Sequence, residues 1–425
     1  PEGDAVMEFL TRMEFRTLTK RVADALKIDA PALPEAATAA ARDETPKATE
    51  EHLPFDHAAY ECLRDRAALD RWIALARERG HLAIDTETTS LDEMRADLVG
   101  ISLSVTAGQA CYIPLGHTTG GGDLFGAAAP APGQMARDEV LAALKPLLED
   151  ASVLKIGQNM KYDWKIFARH GIRIAPFDDT MLMSYAMHAG LHNHGMDGLS
   201  ERYLGHQPIA IKSLLGSGKS AVTFDRVPVE EAVKYAAEDA DVTLRLWQAF
   251  RPNLHRVQVT TVYETLERPL VPVLAEMEMA GIRVDKQVLS RMSNAFAQKM
   301  AGLEAEIQDL AGQPFNVGSP KQLGEILFDK FQVPGGEKGK TGAYATGADV
   351  LEDIAGNIEL GVPSDLAQRV LDWRQLSKLK STYTDALQDH VHPETGRVHT
   401  SYSIAGANTG RLASTDPTLQ NIPIR

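Results

Sequence analysis

The stretch His81-Leu82-Ala83-Ile84-Asp85-Thr86-Glu87-Thr88 sets a mostly apolar run ahead of two carboxylates. It reads as a short buried strand ending in acid. Residues i and i+2 of a strand face the same side, so Asp85 and Glu87 point together. Like charges so placed repel unless something neutralises them, and a divalent cation is the usual answer. The remaining ligands must come from elsewhere in the chain.

Two other stretches supply candidates. Gly157-Gln-Asn-Met-Lys-Tyr-Asp163 reads as the opening of a helix that runs to about His170, with Asn159 and Asp163 four apart on one face. Tyr235-Ala-Ala-Glu-Asp239 lies in a long helix from about Val229 to Phe250, where Tyr235 and Asp239 share a face in the same way. A single Asp on a helix is ordinarily a solvated surface residue. Four carboxylates at a strand end and on two helices, each with a polar or aromatic companion at fixed spacing, outweigh that reading.

The chain has 425 residues, enough for two or three domains, and a net charge of −14. That charge argues against a general nucleic-acid coat but leaves room for an enzyme with local contacts. Residues 366–425 hold seven Lys/Arg against five Asp/Glu, a mildly basic end. Cys62 and Cys111 are the only cysteines, which suits a reducing compartment and excludes a disulfide framework. No apolar run is long enough for a membrane span and no signal peptide opens the chain. The missing initiator Met reads as a piece of a longer protein.

Residues 5–27 read as one helix and 29–54, rich in Ala, Pro, Glu and Thr, as a linker. A helix from Asp65 to Arg79 leads into the 82–85 strand. Strands at 100–105 and 109–114, a Gly/Ala/Pro-rich loop at 116–133, a helix at 137–149 and a strand at 153–156 complete an α/β pattern. Beyond Tyr263 the chain is mostly helical. Pro269 and Pro272 should bend or break one helix. Asp285–Leu310 carries an apolar stripe of Val288, Met292, Phe296, Met300, Leu303, Ile307 and Leu310, which suggests an antiparallel helix pair. Ser319-Pro320 starts a helix to Phe331. Residues 334–347 read as a tip with Lys338 and Lys340 available to phosphates, 366–387 as the last long helix, and 397–402 as a strand.

Three tempting motifs are set aside. Gly120-Gly121-Gly122 has no strand–helix frame, and Gly216-Ser-Gly-Lys-Ser220 lacks the first glycine of a phosphate loop. His188, His192 and His194 fit no common zinc spacing and read as a helix end plus loop.

Together, Asp85-Thr-Glu87, Asn159 to Asp163 and Tyr235 to Asp239 resemble the three motifs of the 3′→5′ proofreading exonucleases. Leu379-Lys-Ser-Thr-Tyr-Thr-Asp385 and Thr409-Gly-Arg411 through Asn421-Ile-Pro423 resemble the thumb and first palm segment of the A-family DNA polymerases, in their bacterial polymerase I branch. The resemblance implies an α/β, ribonuclease-H-like 3′→5′ exonuclease domain at 55–255. A mainly helical polymerase thumb with an incomplete palm would follow at 256–425, and residues 1–28 would be the tail of a 5′ nuclease domain. It further implies that the polymerase carboxylates and fingers lie beyond Arg425, so that this polypeptide does not extend a primer.

The implied chemistry is phosphodiester hydrolysis with two divalent ions roughly 4 Å apart. By resemblance Asp85 bridges both ions, Glu87 and Asp239 complete one site, Asp163 supports the other, and Tyr235 orients the attacking water with help from Glu87. Oxygen-only ligands suit Mg²⁺ or Mn²⁺, with Zn²⁺ also accommodated. Asn159, Tyr162 and Leu91 would position the last nucleotides of a single-stranded or frayed DNA 3′ end, Leu91 as a wedge; plain core packing is the competing reading of Leu91. Lys378, Lys380, Ser381 and Thr382 would hold the primer-template duplex backbone, and Arg411 would lie at the primer-terminal minor groove. The expected setting is a monomer in the bacterial cytoplasm, associated with the nucleoid and not with a membrane. A DNA-binding module with a dead exonuclease site ranks below this, since no carboxylate is missing; an RNA 3′ exonuclease is disfavoured by the thumb.

Overall fold

The computed structural model describes residues 3–13, 15–28, 53–119, 128–339 and 342–422. Most of the 29–54 linker, Gly120-Gly121-Gly122, Lys340 and the last residues from Pro423 to Arg425 lie outside the described residues. The chain forms two compact units. One comprises Pro1–Thr89, Asp97–Met160 and Ile172–Arg268; the other comprises Ser90–Ala96, Lys161–Gly171 and Pro269–Arg425.

The first unit is built on a six-stranded sheet. Its strands are β1 (Glu61–Cys62), β2 (His81–Thr88), β3 (Leu98–Thr106) and β4 (Gln109–Pro114), followed by β7 (Leu154–Gly157) and β8 (Phe177–Asp179). The order is β1-β4-β3-β2-β7-β8, with β2, β3 and β4 antiparallel and β7 and β8 added in parallel. This is the α/β, ribonuclease-H-like arrangement that the sequence implies. β2 therefore sits centrally, and Leu82, Ala83 and Ile84 are fully buried.

Local signals set the elements around it. Asp65 accepts the Ala68 N–H at 2.9 Å and caps the helix Arg66–Arg79, which Gly80 closes at a φ of 72°. The helix Val229–Arg256 lies along β2, β3 and β4. Its buried stripe of Ala232, Ala236, Ala237 and Ala240 lets the helix approach the sheet closely. The 116–133 loop contains a small ladder of β5 (Thr118–Thr119) with β6 (Ala129–Pro130). Residues 5–27 are two helices, Gly3–Arg12 and Arg16–Leu26, not one. No capping side chain marks the second helix's start, so periodicity alone reads through the break.

In the second unit the helix Lys286–Ala311, capped by Asp285, runs antiparallel to Val362–Lys378 and the turns after it. The pairings run in opposite directions: Ser290 with Gln388, Ser293 with Asp385, Glu304 with Trp373, and Glu306 with Arg369. Ile307, Leu323, Leu327, Leu351, Leu366 and Val370 form the core there. Of the expected apolar stripe only Ile307 is fully buried, while Phe296, Met300, Leu303 and Leu310 are half-buried. Val288 and Met292 are exposed; at that end it is Ser290 and Ser293 that meet the partner segment, bonding Gln388 and Asp385.

The remaining departures have local causes. The helix Arg268–Ala280 runs through Pro272, and the chain widens into a π turn, Tyr263–Glu267, just ahead of the prolines. The last long helix begins earlier, at Val362, and gives way at Lys378 to a π segment, Leu379–Asp385. The 397–402 strand is two short strands. β10 (Arg397–Val398) pairs with β9 (Ile282–Arg283), and β11 (Ser401–Ser403) pairs with β12 (Ala413–Thr415). Between them the Thr400 hydroxyl lies within hydrogen-bond reach of the Thr415 carbonyl at 2.9 Å, the Pro417 carbonyl at 2.8 Å and Ser414 Oγ at 2.8 Å. At the tip, Lys338 lies 4.5 Å over the Tyr344 ring.

Candidate metal centre

The pleat of β2 puts Asp85 and Glu87 on one face, and the helix Val229–Arg256 brings Asp239 to it. One oxygen from each of Asp85, Glu87 and Asp239 lies within 4.8 Å of the others, the one cluster of this kind among the described residues. The neighbouring acids of the helix are committed elsewhere. Glu238 accepts from His57 Nε2 at 2.8 Å, His206 Nε2 at 2.7 Å and the Ile209 N–H at 2.7 Å. Asp241 accepts from Tyr60 Oη, the Gly108 N–H and Arg245 Nε, each at 2.9 Å. Asp239 alone of the three turns to the strand carboxylates.

Crowding three carboxylates where water is scarce favours their protonated forms. Burial raises the Asp85 carboxyl to about 7. Burial and the nearby Asp85 hold Asp239 well above the usual carboxylate range. Tyr235 is hydrogen-bonded to Asp239, and burial followed by the charges of Asp239, Glu87 and Asp85 pushes its phenol far up. Tyr235 therefore remains a hydroxyl donor and cannot act as a base. Three carboxylates, each offering a hard oxygen within 4.8 Å of the others, have the donor chemistry for a hard divalent cation.

Asn159 is not inside the helix as its spacing suggests. It sits just before Met160–Arg169 in the left-handed conformation, at a φ of 59°. Asp179 holds it there, accepting the N–H groups of Asn159 at 3.0 Å, Met160 at 2.9 Å and Met181 at 3.0 Å. One buried carboxylate thus caps two helices, and burial still lifts it to about 6. Asp163 lies in the first turn of that helix and is 2% exposed. Tyr162 donates its hydroxyl to the Ser90 carbonyl at 2.6 Å. Leu91 is 90% exposed, so the core-packing reading of it falls.

Of the residues expected to hold duplex, Lys378, Ser381 and Arg411 are exposed and Thr382 is half-buried. Lys380 pairs with Asp385 at 2.6 Å, and Ser381 Oγ donates to the Ser377 carbonyl at 2.8 Å. His188, His192 and His194 occupy a helix end and loop around Tyr203, whose hydroxyl meets His192 Nε2 at 2.9 Å and His188 Nδ1 at 3.2 Å.

Sequence reasoning missed Asp179, Gly100, which faces Glu87 across the β2–β3 ladder, and Glu278, which pairs with Lys161 and Lys165. Asp179-Thr180 ahead of an apolar helix was a readable cap signal. The other two depend on tertiary contacts that no local pattern announces.

The 3'-5' exonuclease family matches residues 60–255, and DNA polymerase family A matches residues 286–425. The DNA polymerase I of Rhizobium leguminosarum is 49% identical over all of this chain and 47% of its own length. That of Pseudomonas aeruginosa is 45% identical over 86% of this chain and 39% of its own length. Among solved structures, the POL domain of Pol1 from M. smegmatis, in complex with DNA primer-template and dNTP, aligns with a TM-score of 0.69. It is 27% identical and covers 86% of this chain and 56% of that one. The chain spans about half, or less, of the length of these curated relatives. No helix among the described residues is long and apolar enough to cross a membrane.

Proposed function

The chain belongs to the bacterial DNA polymerase I family, and from that premise we propose that it carries a 3′→5′ exonuclease acting on single-stranded or frayed DNA 3′ ends. The observation that carries the proposal is the meeting of Asp85, Glu87 and Asp239 from elements distant in sequence. In the complete protein this activity would accompany DNA-directed DNA synthesis.

Asp85, Glu87 and Asp239, with Asp163 as the fourth carboxylate, would hold two Mg²⁺ or Mn²⁺ ions. Such ions activate water for attack on the terminal phosphodiester and stabilise the leaving 3′ oxygen. Tyr235, kept protonated, contributes a hydrogen-bond donor beside Asp239 and orients the attacking water. Leu91, standing free of the surface, offers an apolar wedge between the last bases. Asn159, Tyr162 and the segments they fix shape the path of the single strand. Lys378 and Thr382 are assigned to duplex backbone and Arg411 to the primer-terminal minor groove, with Lys380 and Ser381 reaching phosphates only by exchanging their present partners.

The test uses a 5′-labelled primer with a mismatched 3′ end on a template, plus Mg²⁺. A ladder of shortened products that vanishes in Asp163→Ala supports the proposal. Metal-dependent DNA binding without shortened products would leave a DNA-binding module and sink it.

A further inference from the structure

The second unit contains a buried charge cluster that the carboxylate chemistry does not use. Glu278, 2% exposed on the helix Arg268–Ala280, pairs through Oε1 with Lys161 and through Oε2 with Lys165. Lys165 also pairs with Glu93 at 2.7 Å. Glu278 Oε1 accepts the Tyr402 N–H of β11 at 2.6 Å, and Lys161 donates to the Tyr402 carbonyl. The Glu278 carbonyl accepts from His399 Nδ1 at 2.7 Å. Two ammonium groups and two carboxylates therefore balance in a site nearly closed to water.

The two lysines flank Asp163 at minus two and plus two. Lys161 and Lys165 are one turn apart on one face, and Asp163 is about 200° from each, on the opposite face. Holding the lysine face consequently sets the rotation and depth of the carboxylate face. The same helix holds the loop that presents Leu91. Tyr162 Oη donates to the Ser90 carbonyl, Lys165 pairs with Glu93, and Arg169 Nη1 donates to the Glu93 carbonyl at 2.7 Å and the Ala96 carbonyl at 2.6 Å. Leu91 is exposed on a loop fixed at its start, middle and end.

We propose that Glu278 is a positioning residue for the exonuclease reaction: by anchoring Lys161 and Lys165 it fixes the helix carrying Asp163 and, through Lys165 and Glu93, the loop presenting Leu91. This rests on the exonuclease reading of Asp163 and Leu91 given above. Glu278 touches neither substrate nor ion. It acts through the two lysines, and its ties to Tyr402 and His399 make the exonuclease helix answer to the polymerase-family part of the chain.

The experiment compares wild type, Glu278→Gln and the double variant Glu278→Gln with Lys161→Met. The single variant leaves two buried ammonium groups facing one carboxylate. The double variant restores the charge balance, with Lys165 and Glu93 remaining, but not the tie through Lys161. Hydrogen exchange of residues 90–96 and 161–169 should be faster in both variants than in wild type. Single-turnover cleavage of a single-stranded 3′ end should fall by about 10²-fold in both, because small misplacements of a reacting group are costly. The melting temperature should recover in the double variant while cleavage stays low. Recovery of cleavage together with melting temperature would make Glu278 merely structural and overturn the proposal, as would unchanged exchange in the single variant. If wild type itself does not cleave, the exonuclease reading fails instead, and the exchange measurement still decides whether Glu278 holds the loop and helix.

Discussion

Glu87 is paired across the sheet with Gly100, and the room left by the missing side chain at Gly100 is filled by the ring of Tyr112. A Cβ at Gly100 would lie 2.0 Å from Tyr112 Oη and 2.2 Å from Cζ. That ring is locked, since Tyr112 Oη donates to His117 Nε2 at 2.7 Å and His117 Nδ1 donates to the Val227 carbonyl at 2.9 Å. The register also shifts between Glu87 and Thr88, an irregularity of the kind that re-aims a strand end beside a site. Gly100→Ala should therefore cost about 1–3 kcal/mol by overpacking and displace Glu87. Thermal melts should show the loss, Mn²⁺ binding should weaken with it, and Tyr112→Leu in the same chain should recover part of the melting temperature. An unchanged melting temperature in Gly100→Ala would refute the packing argument.

Tyr235 precedes Asp239 by one helical turn and is hydrogen-bonded to it. Tyr235→Phe keeps the ring and removes only the donor. On the proposed mechanism, single-turnover cleavage should drop by roughly 10²-fold, the cost of losing one oriented donor, with little change in KM. Because the phenol is held protonated far into the alkaline range, the wild-type rate should show no limb from Tyr235 ionisation up to about pH 9. A Phe variant as fast as wild type would remove Tyr235 from the reaction.

The parts of this molecule that were readable in sequence are those set by local rules. Period-two alternation placed Asp85 and Glu87 together, the i,i+4 rule placed Tyr235 with Asp239, and Ser319 announced its helix as a cap. What local rules do not reach are decisions made across the fold. Asn159 leaves the helix because Asp179, twenty residues on, takes its N–H. The 397–402 strand splits because its two ends pair with different partners, Ile282–Arg283 and Ala413–Thr415. Val288 and Met292 face solvent because the helix turns Ser290 and Ser293, not the stripe, to Gln388 and Asp385. Lys161 and Lys165 look like solvated helix lysines until Glu278 arrives from more than a hundred residues away.

The raised Asp85 carboxyl makes metal binding a competition with protons. Its folded value of about 7 lies above the ordinary value near 4 of an unfolded chain. The folded, metal-free protein thus keeps a proton that the unfolded chain has released. The stability from this group is fully present below about pH 4 and is lost as pH rises through about 7. A divalent ion must displace that proton, so apparent Mn²⁺ affinity should rise between pH 6 and pH 8, with proton uptake by the buffer detectable in calorimetry. Asp85→Asn should remove most of the binding and leave only the weaker pH dependence that the raised Asp239 carboxyl supplies. Equal affinity at the two pH values would contradict the assignment of Asp85 as a ligand.

His194 titrates in the opposite sense. Burial, then the neighbouring His192 and His188, lower it to about 4, against about 6.5 in an unfolded chain. The folded protein therefore holds His194 neutral. The stability this supplies is present above about pH 6.5 and is lost as pH falls through about 4. The residue matters to its surroundings because its carbonyl accepts Gln158 Nε2 at 2.9 Å and its Nδ1 shares a hydrogen bond with Ser184 Oγ at 2.8 Å. Gln158 directly precedes Asn159, so acid loosening of the 188–206 segment should reach the start of the Asp163 helix. The difference in melting temperature between wild type and His194→Asn should favour wild type at pH 7 and shrink steadily as the pH falls from 6.5 to 4. Other groups titrate in that range, but they are common to both proteins and cancel in the difference. Parallel curves across the window would show that His194 is not the group that senses acid.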